Sequence, residues 1–275
     1  NSNLQDILKK ASMAIQSQHF KLIACEVITR EICLSIAHSP HIIDVEFTEK
    51  GAHDNPDNLR QIIQDRIDAA EKDSTEYDAV LLGFGLCGNS TSDLTARSIP
   101  VVIPRAHDCC TLFLGSSTRF KELFEHRPST PFSSAGYYER GESPVRGADD
   151  LVRQLGMNRS YDDFVREYGE DNARYIWESL YPDTVKDAEE NVVYIDVPEL
   201  SHLGHVEKFK QELAQSGQTC ELVKGNIKLL AQLVSGTWSD DDFLVVQPGQ
   251  VIRPVYDWEK VLQTKDHKNA DKHKG

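Results

Sequence analysis

The sequence predicts an α/β fold built on a mostly parallel sheet. Short apolar runs typical of buried strands alternate with segments of helical periodicity, and this order occurs over residues 20–85 and again over residues 191–250. With 275 residues, the chain is long enough for one large or two modest domains. We therefore expect two similar Rossmann-like halves, the second repeating the pattern of the first, and a helical insertion between them.

The first half begins with FKLIACEV, a short apolar run that predicts a buried strand, followed by TREICLSIAHS, a helical segment that Pro40 ends. HIIDVEF is the second predicted strand. A helix is then predicted from Leu59 to Lys72, because apolar residues recur along one of its faces. YDAVLLGFG and IPVVIP are the third and fourth predicted strands.

The second half repeats this order after a change in composition. NVVYIDV, TCELVKG and DDFLVVQPGQ predict strands, and the helices between them end at Gly217 and Gly236. The insertion before it is rich in aromatic and charged residues, as in SYDDFVREYGEDNARYIWESLY, and its pattern is mostly helical. In the loop ahead of that stretch, Tyr137 and Tyr138 fit either a lid or ordinary packing.

These patterns divide the chain into five segments. They are an N-terminal amphipathic helix, a first α/β half, a helical insertion or cap, a second α/β half and a polar tail, over residues 1–19, 20–116, 117–190, 191–260 and 261–275.

Charge and composition limit the partners and the compartment that we expect for this protein. The net charge is −14, and basic residues cluster only in the C-terminal tail, so we expect neither nucleic acid nor an anionic membrane as a partner. No apolar stretch approaches the ~18 residues of a membrane span, and the N-terminus lacks a signal pattern, so we expect a cytoplasmic protein. Because the cytoplasm is reducing, we expect the six cysteines to be free thiols or metal ligands rather than a disulfide framework.

Residues suited to metal binding follow each of the four predicted strands of the first half. In chain order they are Cys25, His53, Cys87, His107, Asp108 and Cys109. Because ligands of parallel sheets bind beyond the carboxyl ends of the strands, we expect Cys25, Cys87 and Cys109 to meet there. Thiolates suit zinc, and three of them around a [4Fe–4S] cluster would leave one iron open to substrate.

Other residues of these loops have predicted roles beside the thiols. His107 or His53 is the candidate fourth ligand or acid–base partner, and Asp108 is a candidate N-cap and catalytic residue. Glycines let a backbone approach a ligand closely, so Gly85, Gly88 and the adjacent Asn89 are candidate cofactor-binding residues.

Some cysteines have simpler interpretations. A buried free cysteine is a common core residue, and no CxxC zinc spacing is present. Cys33 is predicted inside a helix and Cys220 inside a strand, and we expect both to pack in the core. Cys110 should point away from its neighbour Cys109.

The stretches GFGLCGN, IPRAHDCCTLFLGS, HDNPDNL and LVSGTWSDDDFLVVQPGQ resemble a domain-of-unknown-function family of methanogens and of anaerobic or soil bacteria. The similarity covers roughly residues 20–250 in order. Members of that family often lie beside genes for corrinoid-dependent methyltransferases. The resemblance therefore implies one-carbon or methylamine metabolism, and it draws attention to Cys25, His53, Cys87, His107 and Cys109.

Three functions fit these observations. The first is a metal-dependent enzyme, a transferase or lyase, in which thiolate-bound zinc or an iron–sulfur cluster acts on a small molecule. The second is a non-catalytic accessory protein that binds a metal or corrinoid and delivers it to a methyltransferase partner. The third is a metal-free enzyme in which Cys109 is the nucleophile and His107 or His53 is the base.

Overall fold

The structure, a computed structural model, describes residues 16–125, 130–140, 170, 191–215, 217–255, 257 and 260–266, and for His53 and Asp54 it describes the backbone alone. The strands are β1 (His19–Cys25), β2 (Ile42–Thr48), β3 (Ala79–Gly83), β4 (Val101–Pro104), β5 (Phe132–Ser134), β6 (Asn191–Asp196), β7 (Thr219–Lys224), β8 (Phe243–Val246), β9 (Gln250–Pro254) and β10 (Leu262–Asp266). The helices are α1 (Thr29–Ala37), α2 (Pro56–Ala70), α3 (Cys109–Leu114), α4 (Ser117–Phe124), α5 (Ala135–Glu139), α6 (His205–Gln215) and α7 (Lys228–Val234). Short 3₁₀ helices span Glu26–Ile28, Lys50–Asp54 and Pro198–Leu203.

The main sheet has five strands in the order β2-β1-β3-β4-β8. Its first four strands are parallel, and β8 runs antiparallel to β4 at one edge. The prediction of a mostly parallel central sheet in an α/β fold is therefore confirmed. The carboxyl ends of β1, β3 and β4 lie at the same edge of this sheet.

Local signals account for the helices of the first half. The side chain of Asn55 caps α2 by accepting hydrogen bonds from the backbone N–H groups of Asp57 and Asn58, at 3.0 and 3.1 Å. Pro56 occupies the first turn, where its missing N–H costs nothing. The buried face of α2 is a stripe with helical spacing, formed by Leu59, Ile63, Ile67 and Ala70.

The second sheet is smaller and fully parallel, in the order β5-β6-β7. Strands β6 and β7 occur where the sequence predicts them, whereas β5 comes from the segment predicted as a helical cap. Most of that segment lies outside the described residues, so the predicted helices within 141–169 and 171–190 are not assessed.

The two halves do not match as predicted. The third strand expected for the second half, β8, pairs instead with β4 of the main sheet. Three of its four residues are buried, Phe243, Leu244 and Val246, which suits an edge covered on both faces. An apolar strand pattern predicts burial but does not say which sheet provides the partner, and two similar Rossmann-like halves are not confirmed.

The C-terminal end also differs from expectation, whereas the predicted N-terminal helix is not assessed. The C-terminal segment predicted as a polar tail begins with β10, which pairs antiparallel with β9 and buries Leu262 completely. At the other end, His19 already belongs to β1, and residues 1–15 of the predicted N-terminal helix lie outside the described part.

One contiguous apolar core surrounds the main sheet and includes Phe20, Leu22, Phe84 and Phe113. A second, smaller cluster lies between β6 and α6 and is formed by Val192, Tyr194, Phe209 and Leu213. Among the helices of the described residues, none combines the length and the apolar character needed to cross a membrane.

Candidate functional site

The loops that follow β3 and β4 run side by side at the carboxyl edge of the main sheet. The backbone N–H groups of Leu86 and Cys87 donate to the carbonyl oxygens of Ala106 and His107 at 2.8 and 2.9 Å. A Cβ atom on Gly85 would lie 2.7 Å from the backbone nitrogen of Asp108, so the close approach requires glycine. The backbone that approaches Gly85 closely is therefore that of Ala106 and Asp108 in the same chain.

Cys87 begins a left-handed turn. Its φ angle is +48°, and Gly88 and Asn89 follow at +62° and +71°. The left-handed region costs a non-glycine residue roughly 1–2 kcal/mol, so surrounding contacts must hold this conformation. The Arg60 guanidinium donates to the carbonyl oxygen of Asn89 at 2.8 Å, and the Ser90 hydroxyl donates to that of Cys87 at 2.8 Å.

The roles predicted for Gly88 and Asn89 in cofactor binding stay predictions. Gly88 faces open space, because nothing lies within 4 Å of the position of a Cβ atom there. The carbonyl of Asn89 is engaged by Arg60 within the protein.

Cys109 is the first residue of α3 and is 4% exposed. The preceding residue, Asp108, caps the helix, as the sequence predicts, by accepting a hydrogen bond from the backbone N–H of Thr111 at 3.3 Å. Burial raises the pKa of Asp108 to about 6. Its carboxyl group therefore titrates near neutral pH beside the thiols.

Tyr137 and Cys87 both interact with the side chain of Cys109. The hydroxyl of Tyr137 donates to its sulfur at 3.5 Å. The thiol of Cys109 is the largest of the influences that raise the pKa of Cys87, ahead of burial. The raised pKa means that the protonated form of Cys87 is favoured.

Cys25 completes a group of three thiols. It lies at the end of β1, is 1% exposed, and has a raised pKa because of burial and then of the charge on Cys109. Cys25 also contributes to the raised pKa of Cys87. The sequence therefore placed these three cysteines correctly at one edge of the sheet.

Within the described side chains, no group of three or more His, Cys, Asp or Glu residues is arranged to hold a metal ion, so the predicted coordination sphere is not found among them. The side chain of His53, one of the two predicted fourth ligands, lies outside them. That of His107, the other one, stacks on the ring of Phe120 with centroids 5.4 Å apart.

The other three cysteines are not part of this group of thiols. Cys110 is buried, as a residue turned into the core should be, and burial raises its pKa. Cys33 is exposed, so its predicted core role is wrong: Glu31 and Ser35 occupy the buried face of α1 instead. Cys220 on β7 is half-buried and packs on the smaller core cluster.

Tyr137 reaches the thiols because α5 lies directly against the 3₁₀ helix Glu26–Ile28. At Gly136, a Cβ atom would lie only 1.6 Å from the carbonyl oxygen of Val27. The Tyr137 ring packs edge-on against Phe132, with centroids 5.5 Å apart, and the Lys50 ammonium lies 5.7 Å from the ring centre.

Two ion pairs attach the end of α5 to α1 and to the 3₁₀ helix that follows β1. Arg30 bonds Glu139 at 2.7 Å, and Arg140 bonds Glu26 at 3.0 Å. Glu139 also accepts from His205 of α6 at 2.8 Å, so α5 links the two sheets. The sequence identified Tyr137 only as a lid or packing residue, because no local signal shows that β5 delivers it to the thiols.

Comparison with curated proteins and with solved structures finds no match for this chain. Residues 47–234, more than half of the chain, match the sequence model of DUF1638, a protein family of unknown function. The matched region includes Cys87, Cys109 and Tyr137, and begins after Cys25. The family membership predicted from the loop motifs is therefore confirmed, and the chain belongs to the DUF1638 family.

Proposed function

We propose that this protein is a cysteine-dependent enzyme that acts on a small molecule, with Cys109 as the nucleophile. The observation that carries the proposal is the Tyr137 hydroxyl, which donates a hydrogen bond to the Cys109 sulfur. Donors aimed at a sulfur stabilise it when it carries negative charge. The thiolate is the form of cysteine that attacks electrophiles.

In the proposed step, the Cys109 sulfur attacks an electrophilic carbon of the substrate. A carbon–sulfur bond forms, and the leaving group departs with the electron pair of its own bond to that carbon. The proton that Cys109 gives up passes to the Asp108 carboxylate, whose pKa of about 6 suits proton exchange near neutral pH. A methyl or other one-carbon group on a small donor would suit this step.

The burial of the site supports a small substrate. Cys109 is 4% exposed, and α5 with Tyr137 covers it. A large substrate would have to displace α5 against two ion pairs and the close contact of Gly136 with Val27. A substrate of a few non-hydrogen atoms needs a smaller opening.

The test is alkylation of the folded protein under anaerobic, reducing conditions. After iodoacetamide treatment, intact mass should show one adduct more on the wild type than on Cys109→Ser. Cys25→Ser is the matched control, since it removes a buried thiol of the same group, and it should carry the same number of adducts as the wild type. Equal adduct numbers on wild type and Cys109→Ser would refute the proposal.

A metal-dependent enzyme is the second candidate, favoured by the electrostatic contact of Cys25, Cys87 and Cys109 at one sheet edge. Three thiols are a donor set that suits zinc or an iron–sulfur cluster. Ligand thiols must lose their protons, and the pKa values of Cys25 and Cys87 are raised. Metal binding would therefore release protons and tighten as the pH rises.

Metal content per chain separates the two candidates. For a metal centre, replacing Cys25, Cys87 or Cys109 by serine should each lower the content sharply in protein purified anaerobically, whereas Cys33→Ser and Cys220→Ser should not. Metal-free wild-type protein would exclude this candidate. A corrinoid or methyltransferase partner stays a prediction alongside either candidate.

A further inference from the structure

We propose that Cys87 and Cys109 form a dithiol that is oxidised reversibly to an intramolecular disulfide. The inference rests on the proposed role of Cys109 as the reactive thiol and adds Cys87 as its resolving partner. It makes the site sensitive to the thiol–disulfide balance of its surroundings.

The loop geometry places the two cysteines side by side. Gly85 lies against the backbone of Asp108, and Cys87 donates its backbone N–H to the carbonyl of His107 at 2.9 Å. Cys109 comes two residues after His107, as the first residue of α3. Two thiols held on neighbouring, hydrogen-bonded loops need little movement to become bonded.

Cys87 is a better resolving partner than the other nearby thiols. Cys87 lies in the loop whose backbone is hydrogen-bonded to the segment that leads into Cys109, whereas Cys25 ends β1. Cys110 follows Cys109 within α3 and is completely buried. The left-handed turn at residues 87–89, braced by Arg60 through Asn89, fixes the backbone of Cys87 next to that segment.

The conformation of Cys87 is consistent with a functional constraint. A φ of +48° is unusual for cysteine, and unfavourable backbone conformations of this kind collect at sites where a side chain must be aimed. Glycine or asparagine would adopt the turn at lower cost. A thiol at this position therefore has a use that offsets the strain.

The oxidation balances with a small disulfide as oxidant. The Cys109 thiolate attacks one sulfur of the small disulfide, which forms a mixed disulfide and releases one small thiolate. The Cys87 thiolate then attacks the Cys109 sulfur, and the second small thiolate leaves. Two electrons pass from the protein dithiol to the oxidant, and the two protons of Cys87 and Cys109 end on the released thiols.

The test uses 2-hydroxyethyl disulfide, an oxidant small enough for a covered site. Anaerobic wild-type protein is oxidised, its free thiols are blocked, and its peptides are mapped by mass spectrometry without reduction. We expect a Cys87–Cys109 crosslink, the loss of iodoacetamide labelling at Cys109, and full recovery of labelling after dithiothreitol. In Cys87→Ser, the mixed disulfide should remain on Cys109, while Cys33→Ser should behave as the wild type.

Two outcomes would overturn the inference. One is a crosslink from Cys109 to Cys25 or Cys110 instead of Cys87. The other is wild-type protein that keeps a stable adduct on Cys109, or keeps both thiols free, although iodoacetamide still labels Cys109. In either case the proposed function survives without its resolving thiol. If Cys109 reacts with neither reagent, the proposed function fails as well.

Discussion

The hydroxyl of Tyr137 donates a hydrogen bond to the sulfur of Cys109 across 3.5 Å, and the two residues lie in helices that follow strands of different sheets. Cys109 follows β4 of the main sheet, whereas Tyr137 lies in α5, directly after β5 of the smaller sheet. The contact therefore depends on the way α5 is held against the main sheet, and it joins the chemistry of the site to the packing of the whole protein.

Removal of this hydroxyl should slow the reaction of Cys109. Tyr137→Phe keeps the ring contacts with Phe113 and Phe132 and removes only the donor. A hydrogen bond of about 1 kcal/mol corresponds to roughly a fivefold lower alkylation rate. Tyr138→Phe is the matched control, because its hydroxyl bonds Glu212 at 2.7 Å instead. Equal rates for Tyr137→Phe and the wild type would show that the hydroxyl does not activate Cys109.

Gly136→Ala should displace α5. The added methyl group would overlap the carbonyl oxygen of Val27, 1.6 Å away, and neither backbone can yield unless α5 moves. Overpacking of this kind costs about 1–3 kcal/mol, so urea denaturation should show a lower free energy of unfolding. Gly51→Ala is the control, since nothing lies within 4 Å of its Cβ position. Equal losses in both variants would contradict the close contact.

The buried carboxyl group of Glu31 predicts a pH-dependent stability. Glu31 is fully buried in α1, and within the described residues neither of its oxygens has a hydrogen-bond partner. Burial raises its pKa from 4.5 to about 7. The folded protein therefore binds a proton that the unfolded chain has already lost between these pH values, and stability falls as the pH rises through that window.

Glu31→Gln tests this prediction, because glutamine cannot ionise. Each tenfold change in proton affinity is worth roughly 1.4 kcal/mol, so the stability that the wild type loses between pH 4.5 and 7 is on the order of 3 kcal/mol. Denaturation at several pH values should show a flatter profile for the variant and a higher stability than the wild type above pH 7. The raised pKa of Asp108 also makes stability fall as the pH rises. Asp108 is present in both proteins, so it does not affect their difference. Parallel profiles would rule out a raised pKa for Glu31.

Asp108→Asn should separate the two roles of this residue, which are to cap α3 and to place a negative charge beside the thiols. Asparagine caps helices as well as aspartate does but cannot ionise, so the free energy of unfolding at pH 8 should be higher than in the wild type, as in Glu31→Gln. The charge of Asp108 contributes to the raised pKa of Cys87, so its removal should lower that pKa. The attack of Cys87 on a mixed disulfide already formed at Cys109 should then become fast at a lower pH than in the wild type. An unchanged pH profile would show that the carboxylate does not act on the thiols.

The sequence predicted what depends on local signals. The Asn55–Pro56 start and the spacing of Leu59, Ile63 and Ile67 are sufficient for α2. The edge that carries the thiols was predictable because parallel strands present their carboxyl ends together, and Cys25, Cys87 and Cys109 each follow such a strand.

What the sequence did not predict depends on contacts between distant segments. The three-residue strand β5 lies in the segment interpreted as a loop ahead of the helical stretch, so neither the strand nor the approach of Tyr137 was foreseen. The pairing of β8 with β4 had no local signal either, since an apolar run does not identify its neighbour. Cys33 was misplaced because Glu31, a residue type seldom buried, takes the inward position on α1.

The most direct test of Cys109 as the reactive thiol is a time course of substoichiometric iodoacetamide labelling, resolved by peptide mass spectrometry, in folded and in urea-unfolded protein. The reference is Cys33, which is exposed in the folded state, whereas Cys109 is 4% exposed. We expect Cys109 to react faster than Cys33 in the folded protein, and the two rates to become similar in urea. Labelling of Cys33 alone in the folded protein, with Cys109 reacting only after unfolding, would contradict the proposed function.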